Sequence, residues 1–230
     1  MDGEGPAELP EPVPPPPAAA GCFGDRLPVA CAYAALLGGP GVVRGLIGPR
    51  EVPRLWERHL LNCAAIAPAP AAKTRVADLG SGAGLPGIVV AILRPDLRVT
   101  LIEPLLRRAT FLVEAVAALE LGNVEVLRAR AEEHRDPSGY DTVLARAVAP
   151  LDRLAGWALP LLRPGGNLLA LKGSSAEDEL QEAVPALRSL GAASWAVRRY
   201  EIAGLDVPTT VVEVVAGRVS RETRARSARK

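Results

Sequence analysis

The chain begins without an apolar period. Residues 1–20, including "PEPVPPPPAAA", are dense in proline and read as polyproline II or disorder. From about Leu27 to Leu37, "LPVACAYAALL" predicts a helix stopped by Gly38-Gly39-Pro40. "EVPRLWERHLLNCAAIAP" predicts a second, amphipathic helix. Pro53 stands near its start, and Leu55, His59, Leu60 and Cys63 are spaced as one face. "APAPAAK" is a short linker. Beyond it, short apolar runs at 74–79, 98–103, 124–129 and 140–148 read as strands. Helices between or after them run from Pro86 to Arg94, from Leu105 to Leu121 and through "LDRLAGWALPLL", with Pro95 and Gly122 as stops. "RPGG" then turns into a fifth strand, "NLLALKG", followed by a helix from about Ala176 to Leu190. "ASWAVRRYEI" and "TTVVEVVAG" read as a closing pair of strands. The alternation predicts an α/β fold: a mostly parallel, seven-stranded sheet with helices on both faces, preceded by a small N-terminal helical segment. The expected divisions are a tail over 1–20, a helical cap over 21–72, a ligand-binding domain over 73–217 and a basic, disordered tail over 218–230.

Composition narrows the class. With 230 residues, 49% of them apolar, the chain has enough material for one sizeable core. Lys plus Arg is 27 against 26 Asp plus Glu, a net charge of +1, which does not advertise a nucleic-acid binder but leaves room for a local basic patch. The cysteines Cys22, Cys31 and Cys63 lie far apart with no CxxC pair, which fits reduced thiols in a cytoplasmic protein. No leader-like run and no apolar run near 18 residues is present, so no membrane partner is expected.

The chemistry concentrates in "DLGSGAGLPG", Asp78 to Gly87, after the first strand. In a doubly wound sheet, ligands sit at the carboxyl ends of the strands where the strand order reverses. Gly82-Ala83-Gly84-Leu85-Pro86-Gly87 formally matches GxGxxG, and Glu103 ends the next strand where a ribose-binding acid belongs, which taken alone fits NAD. Two features favour S-adenosylmethionine (SAM). Counted from the strand end, the loop is GxGxG, with Gly80, Gly82 and Gly84, and lacks the last glycine at Leu85. Asp78 beside it would repel a pyrophosphate but attract an ammonium and a sulfonium. Topology adds Ala131 and Glu132 at the expected adenine edge. It places Arg146, in "ARAV", at the heart of the site, where its cation needs the methionine carboxylate or a substrate oxygen as partner. Glu132 also reads as a first-turn helix acid, and Arg146 as a solvated strand-end cation.

The acceptor is narrowed by omission. The Asn/Asp-Pro-Pro-aromatic loop of amino-directed methyltransferases is replaced by "ARAVAPLD". No cysteine follows Cys63 to act as a carbon-5 nucleophile. His59 and His134 are the only histidines, so no metal is expected. What remains is an acceptor that is already nucleophilic; guanine N7 needs no general base.

"WERHLLNC", "VADLGSGAGLPGIVVAI", "LIEPLLRRATFL", "RARAEE", "VLARAVAPLDRLAGWALPLLRPGGNLLALKG" and "TTVVEVV" together resemble the RsmG (GidB) family, over about residues 27 to 217. The resemblance implies a Rossmann-like SAM-dependent methyltransferase fold. It implies methyl transfer to N7 of a guanosine in the 530 loop of 16S ribosomal RNA, with cofactor contacts at Gly80, Leu85, Ala131, Glu132 and Arg146. The partner it implies is 16S rRNA or an assembling small subunit, and a monomer is expected. Many family members carry Trp-Asn…Asn-Leu-Thr between the first two helices; here that region reads "LLGGPGVVRGLIG".

Lys172, one of three lysines in an arginine-rich chain, ends the fifth strand, where it is expected to hold a phosphate or guanine oxygen. With Arg146 it forms the candidate catalytic pair. His59 reads as a packed or surface helix histidine. A small-molecule methyltransferase and a non-catalytic NAD-binding module remain as rival readings of the same fold.

Overall fold

Short apolar runs between glycine- and proline-marked turns form β1 (Arg75–Leu79), β2 (Arg98–Ile102), β3 (Val124–Leu127), β4 (Tyr140–Arg146), β5 (Leu162–Lys172), β6 (Ala192–Tyr200) and β7 (Thr209–Ala216). The structure, a computed structural model, describes residues 13–134 and 138–217. Its strands make one seven-stranded sheet in the order β3-β2-β1-β4-β5-β7-β6. All neighbours are parallel except β7, which runs antiparallel to both β5 and β6. The order reverses between β1 and β4, so the expected crevice opens beyond Leu79 and Ala145, which pair there.

Alternate residues of each strand feed different cores. Val76, Leu101, Leu144 and Leu169 pack with α2 (Leu27–Leu36), α4 (Gly87–Leu93) and α5 (Leu106–Ala118). Ala77, Val143, Leu168 and Val212 pack with α6 (Leu151–Ala158) and α7 (Ala176–Ser189) on the opposite face. Both faces of the central strands are therefore buried, as a parallel sheet requires.

Three expected boundaries move. The tail assigned to 1–20 gives way within it to α1 (Pro17–Phe23), because Ala19 and Phe23 have a core to enter. Phe23 meets Trp56 edge to face, and the Trp56 indole N–H donates to the carbonyl of Val13 at 2.8 Å. Gly38-Gly39-Pro40 does not stop the first helix. The chain widens into a π turn over Leu37–Gly41, which accommodates a proline that an α turn would reject. "RPGG" is not a free turn either: β5 already pairs Leu162 with Tyr140, bulges, and resumes at Asn167 opposite Thr142. The second helix is a composite, a 3₁₀ segment Pro49–Arg54, a π segment Leu55–Leu61 and α3 (Asn62–Ala64). The disorder expected for 1–12 and 218–230 falls outside the described residues.

Candidate active site

The glycine loop is tied to the neighbouring strand. The N–H groups of Gly80 and Ser81 both donate to the Ile102 carbonyl, and those of Gly84 and Leu85 to the Ser81 carbonyl. The buried Tyr33 hydroxyl props the loop from α2 by donating to Ala83 O at 2.8 Å. Gly84 (φ 98°) has no room for a side chain: a Cβ would stand 2.8 Å from Tyr33 Oη and 2.4 Å from Ile88 Cδ1. Gly82 (φ 58°) differs, because a Cβ there would meet nothing nearer than Gly80 O at 3.8 Å. A substituent on Gly82 therefore points into the open face of the loop.

Asp78 lies beneath this loop, 0% exposed. Its Oδ2 accepts the N–H of Gly87 at 2.9 Å and fixes the start of α4, while Oδ1 has no partner. Burial pushes its pKa up to about 7, against the Gly87 N–H and a Ser81 hydrogen bond, which pull it down. A buried orphan oxygen with an easily displaced proton suits a cationic ligand.

Glu103 is also buried, 1% exposed. Its Oε2 accepts from Gly82 N at 2.9 Å and its Oε1 from Leu105 N at 3.0 Å. The acid thus clasps the loop to the residue that precedes α5. Each oxygen keeps a second lone pair for a ribose hydroxyl. Ala131 and Glu132 form a turn after β3, the first half-buried and the second exposed. Asp78, the loop from Gly80 to Leu85, Glu103 and Arg146 gather around the β1 and β4 ends, with Ala131 and Glu132 past the more distant β3.

Arg146 carries a network that the sequence did not reveal. Its Nη2 donates to His59 Nδ1 at 2.9 Å and its Nη1 to Cys63 Sγ at 3.3 Å. His59 Nε2 stands 2.9 Å from Glu51 Oε2. His59, expected as a packed or surface residue, is buried against the central cation of the site. The shared helix face of His59 and Cys63 was visible as a spacing, but nothing local signalled a partner 87 residues away. Burial pushes the Cys63 thiol up to about 11, with Arg146 opposing, so it stays protonated and is no nucleophile at neutral pH.

Lys172 sits differently from its expected role. Its ammonium pairs with Glu179 at 2.5 Å and donates to Ala149 O at 3.1 Å. Glu179 also accepts from Leu151 N at 2.7 Å. A side chain 12% exposed and so engaged ties the ends of β5, α6 and α7 together and is already neutralised against a phosphate. Beside it a cavity of about 660 Å³ opens, lined by Arg54, Arg58, Asn62, Arg146, Lys172 and Asp206 among others. Arg54 brings its wall further cationic character, as does Arg58, which pairs with Glu51 at 3.2 Å. Among the described residues no cluster of His, Cys, Asp or Glu is placed to hold a metal, and no helix is long and apolar enough to cross a membrane.

Known proteins share this pattern. The family model GidB, described as rRNA small subunit methyltransferase G, matches residues 27–202. A Salinispora tropica protein named Ribosomal RNA small subunit methyltransferase G is 53% identical over 227 residues, covering 94% of either chain. Its namesake from Thermobifida fusca is 59% identical over 204 residues, 89% of this chain and 86% of its own. Among solved structures, a putative S-adenosyl-L-methionine-dependent methyltransferase from Methanococcus maripaludis aligns at TM-score 0.56 and 12% identity, covering 79% of this chain and 91% of its own. M. jannaschii TYW2 in complex with AdoMet aligns at TM-score 0.55 and 17% identity, over 70% of this chain and 77% of its own. These structural likenesses show the Rossmann-like methyltransferase fold.

Proposed function

The chain belongs to the GidB family of rRNA small subunit methyltransferases, and from that membership we propose that it transfers the methyl group of SAM to N7 of a guanosine in the 530 loop of 16S ribosomal RNA. The observation that supports this best is the position of Arg146. It is near enough to Asp78, under the glycine loop, to lower that acid's pKa, and it also lines the arginine-bearing cavity. One guanidinium therefore borders both a cofactor cradle and a space of a size suited to one unstacked nucleotide.

The residues fit the cofactor. Bound SAM supplies an electrophilic methyl group on a sulfonium. Asp78 offers negative charge through its unpartnered Oδ1, and Gly82 leaves the loop's open face unobstructed. Glu103 would offer its remaining lone pairs to the ribose, Leu85 and the turn at Ala131 and Glu132 would border the adenosine, and Arg146 would pair with the methionine carboxylate or a guanine oxygen. Arg54 and Arg58 meet phosphates flanking the acceptor, as positioning contacts without base information. Lys172 holds the loop that follows β4 in place through Ala149.

Neither group bonded to Arg146 is a working base. The Nδ1 lone pair of His59 is occupied by Arg146, and the Cys63 thiol is protonated. Guanine N7 has a lone pair and no proton to lose, so alignment with the methyl group suffices; orientation alone is worth effective molarities of about 10⁵–10⁸ M. The reaction belongs to the cytoplasm, on free 16S rRNA or an assembling small subunit.

Mapping N7-methylated guanosines in 16S rRNA from cells with and without the gene tests this reading. One modified position should vanish on deletion and return with the wild-type gene but not with Arg146→Ala. An unchanged methylation map would overturn it.

A further inference from the structure

We propose that Glu51 and His59 form a positioning relay that aims the Arg146 guanidinium into the active site, with His59 working only while its Nδ1 is unprotonated. The inference rests on the functional reading above for what Arg146 does, but not for how it is held.

A guanidinium carries five N–H donors and no acceptor. The 2.9 Å approach of Arg146 Nη2 to His59 Nδ1 is therefore a hydrogen bond only if Nδ1 is the acceptor. The single ring proton then sits on Nε2, where Glu51 Oε2 accepts it at 2.9 Å. One tautomer satisfies both interactions, and the carboxylate selects it. Arg146 Nη1 is held in turn by Cys63 Sγ at 3.3 Å. Two separate anchors fix the plane of the guanidinium, and both come from the composite helix that carries the π segment Leu55–Leu61 and α3.

The surroundings favour neutral His59. Three charged groups act on it: Arg146 from β4, Arg58 from its own turn and Glu51 from the 3₁₀ segment before it. Burial and then Arg146 depress its pKa, with Arg58 adding to them, and Glu51 only partly opposes this. Glu51 is shared, because Arg58 Nε also lies 3.2 Å from its Oε2. If Nδ1 gains a proton, a donor faces a donor and a cation faces a cation, so the hold on Arg146 fails. The folded-state pKa is depressed, so the stabilising hydrogen bond is present above the ordinary value of 6.5 and disappears as pH falls through the lower folded value.

Two isosteric substitutions separate the halves of the relay. Asn places an amide oxygen where Nδ1 was and keeps an acceptor for Arg146, without a titrating ring. Gln places its amide nitrogen near the old Nε2, keeping the Glu51 hydrogen bond but offering Arg146 no acceptor.

The first arm is ¹⁵N NMR of the ligand-free full chain. It contains two histidines, so His134→Gln assigns the spectrum. His59 should show an unprotonated Nδ1 and a protonated Nε2 at neutral pH; a proton on Nδ1 would overturn the relay. The second arm is single-turnover methyl transfer to 16S rRNA at saturating SAM across pH. The wild-type rate should fall on the acid side with the midpoint seen for His59 by NMR. His59→Asn should lack that limb and slow by only a few fold. His59→Gln should slow by roughly 10–100-fold, the range typical of groups that orient a ligand-contacting partner. Equal rates for the two variants, or an acid limb that survives in His59→Asn, would sink the relay. If the wild-type protein methylates no 16S rRNA, the functional reading fails instead, and the NMR arm alone decides the relay.

Discussion

At the scale of single residues, the role proposed for Asp78 would couple the cofactor to protons. A carboxyl buried to a pKa of about 7 is partly protonated at neutral pH, whereas a cationic ligand selects the ionised form. SAM affinity, measured by calorimetry, should tighten by about tenfold between pH 5.5 and 7.5, with release of a proton on binding at the acid end. Asp78→Asn should flatten that dependence, and a variant that tracked the wild type would remove Asp78 from the site. The folded-state pKa is raised, so the acid's own contribution to stability is present at low pH and is lost as pH rises toward about 7. Ligand-free protein should therefore fall in melting temperature across that range, and SAM should restore it. Glu103→Gln tests the neighbouring acid. It weakens charge-assisted bonds to the ribose and turns an amide donor toward the N–H of Gly82 or Leu105. A loss of ~1–3 kcal/mol in SAM affinity is expected; an unchanged affinity would make Glu103 a loop clasp only. That Asp78, Glu103 and Arg146 lie near one another was legible because each stands at the carboxyl end of a strand, and those ends converge in this topology. The partners of Arg146 were not, since a hydrogen bond across 87 residues leaves no local periodicity.

At the scale of elements, two glycines of one loop make opposite predictions. A valine at position 84 would drive into Tyr33 and Ile88. It should destabilise the fold, visible as a lower melting temperature. A valine at position 82 meets no protein atom of that kind but stands in the cofactor's approach. Gly82→Val should remain folded by circular dichroism, at a backbone cost of about 1–3 kcal/mol, and show no measurable SAM binding. Retained affinity would refute the cradle. The strands and the long helices of the sheet domain followed from apolar period. Two of the errors fell where glycine and proline occur together. "LGGPG" became a wide turn and "RPGG" a bulge, because packing around Gly38 and pairing of Leu162 outweighed the local tendency to break.

At the scale of the molecule, the cavity is assembled from stretches no window of sequence unites: 54–62, 146–147, 171–173 and 204–207. A net charge of +1 gives little global attraction, so the proposed reading puts RNA on that local wall. Arg54→Ala should weaken rRNA binding and reduce the salt dependence by about 0.7 of a log unit per log unit for each single-strand phosphate it no longer neutralises. SAM affinity should not change, and an unaltered salt slope would move the RNA path elsewhere. The sheet order was foreshadowed by the alternating pattern, but the N-terminal helices are also tied to the far strand by Asn62, whose side chain donates to Thr209 at the start of β7 and whose carbonyl accepts from the same hydroxyl. Those residues are separated by 147 positions. At synthesis rates of about 5–20 residues per second, Asn62 leaves the ribosome roughly 7–30 s before its partner exists. During that interval the segment bearing His59 and Cys63 can pack on the apolar core of the earlier strands but lacks its tie to β7. Closing that tie is thus a late event in the life of each molecule, after translation has passed Thr209.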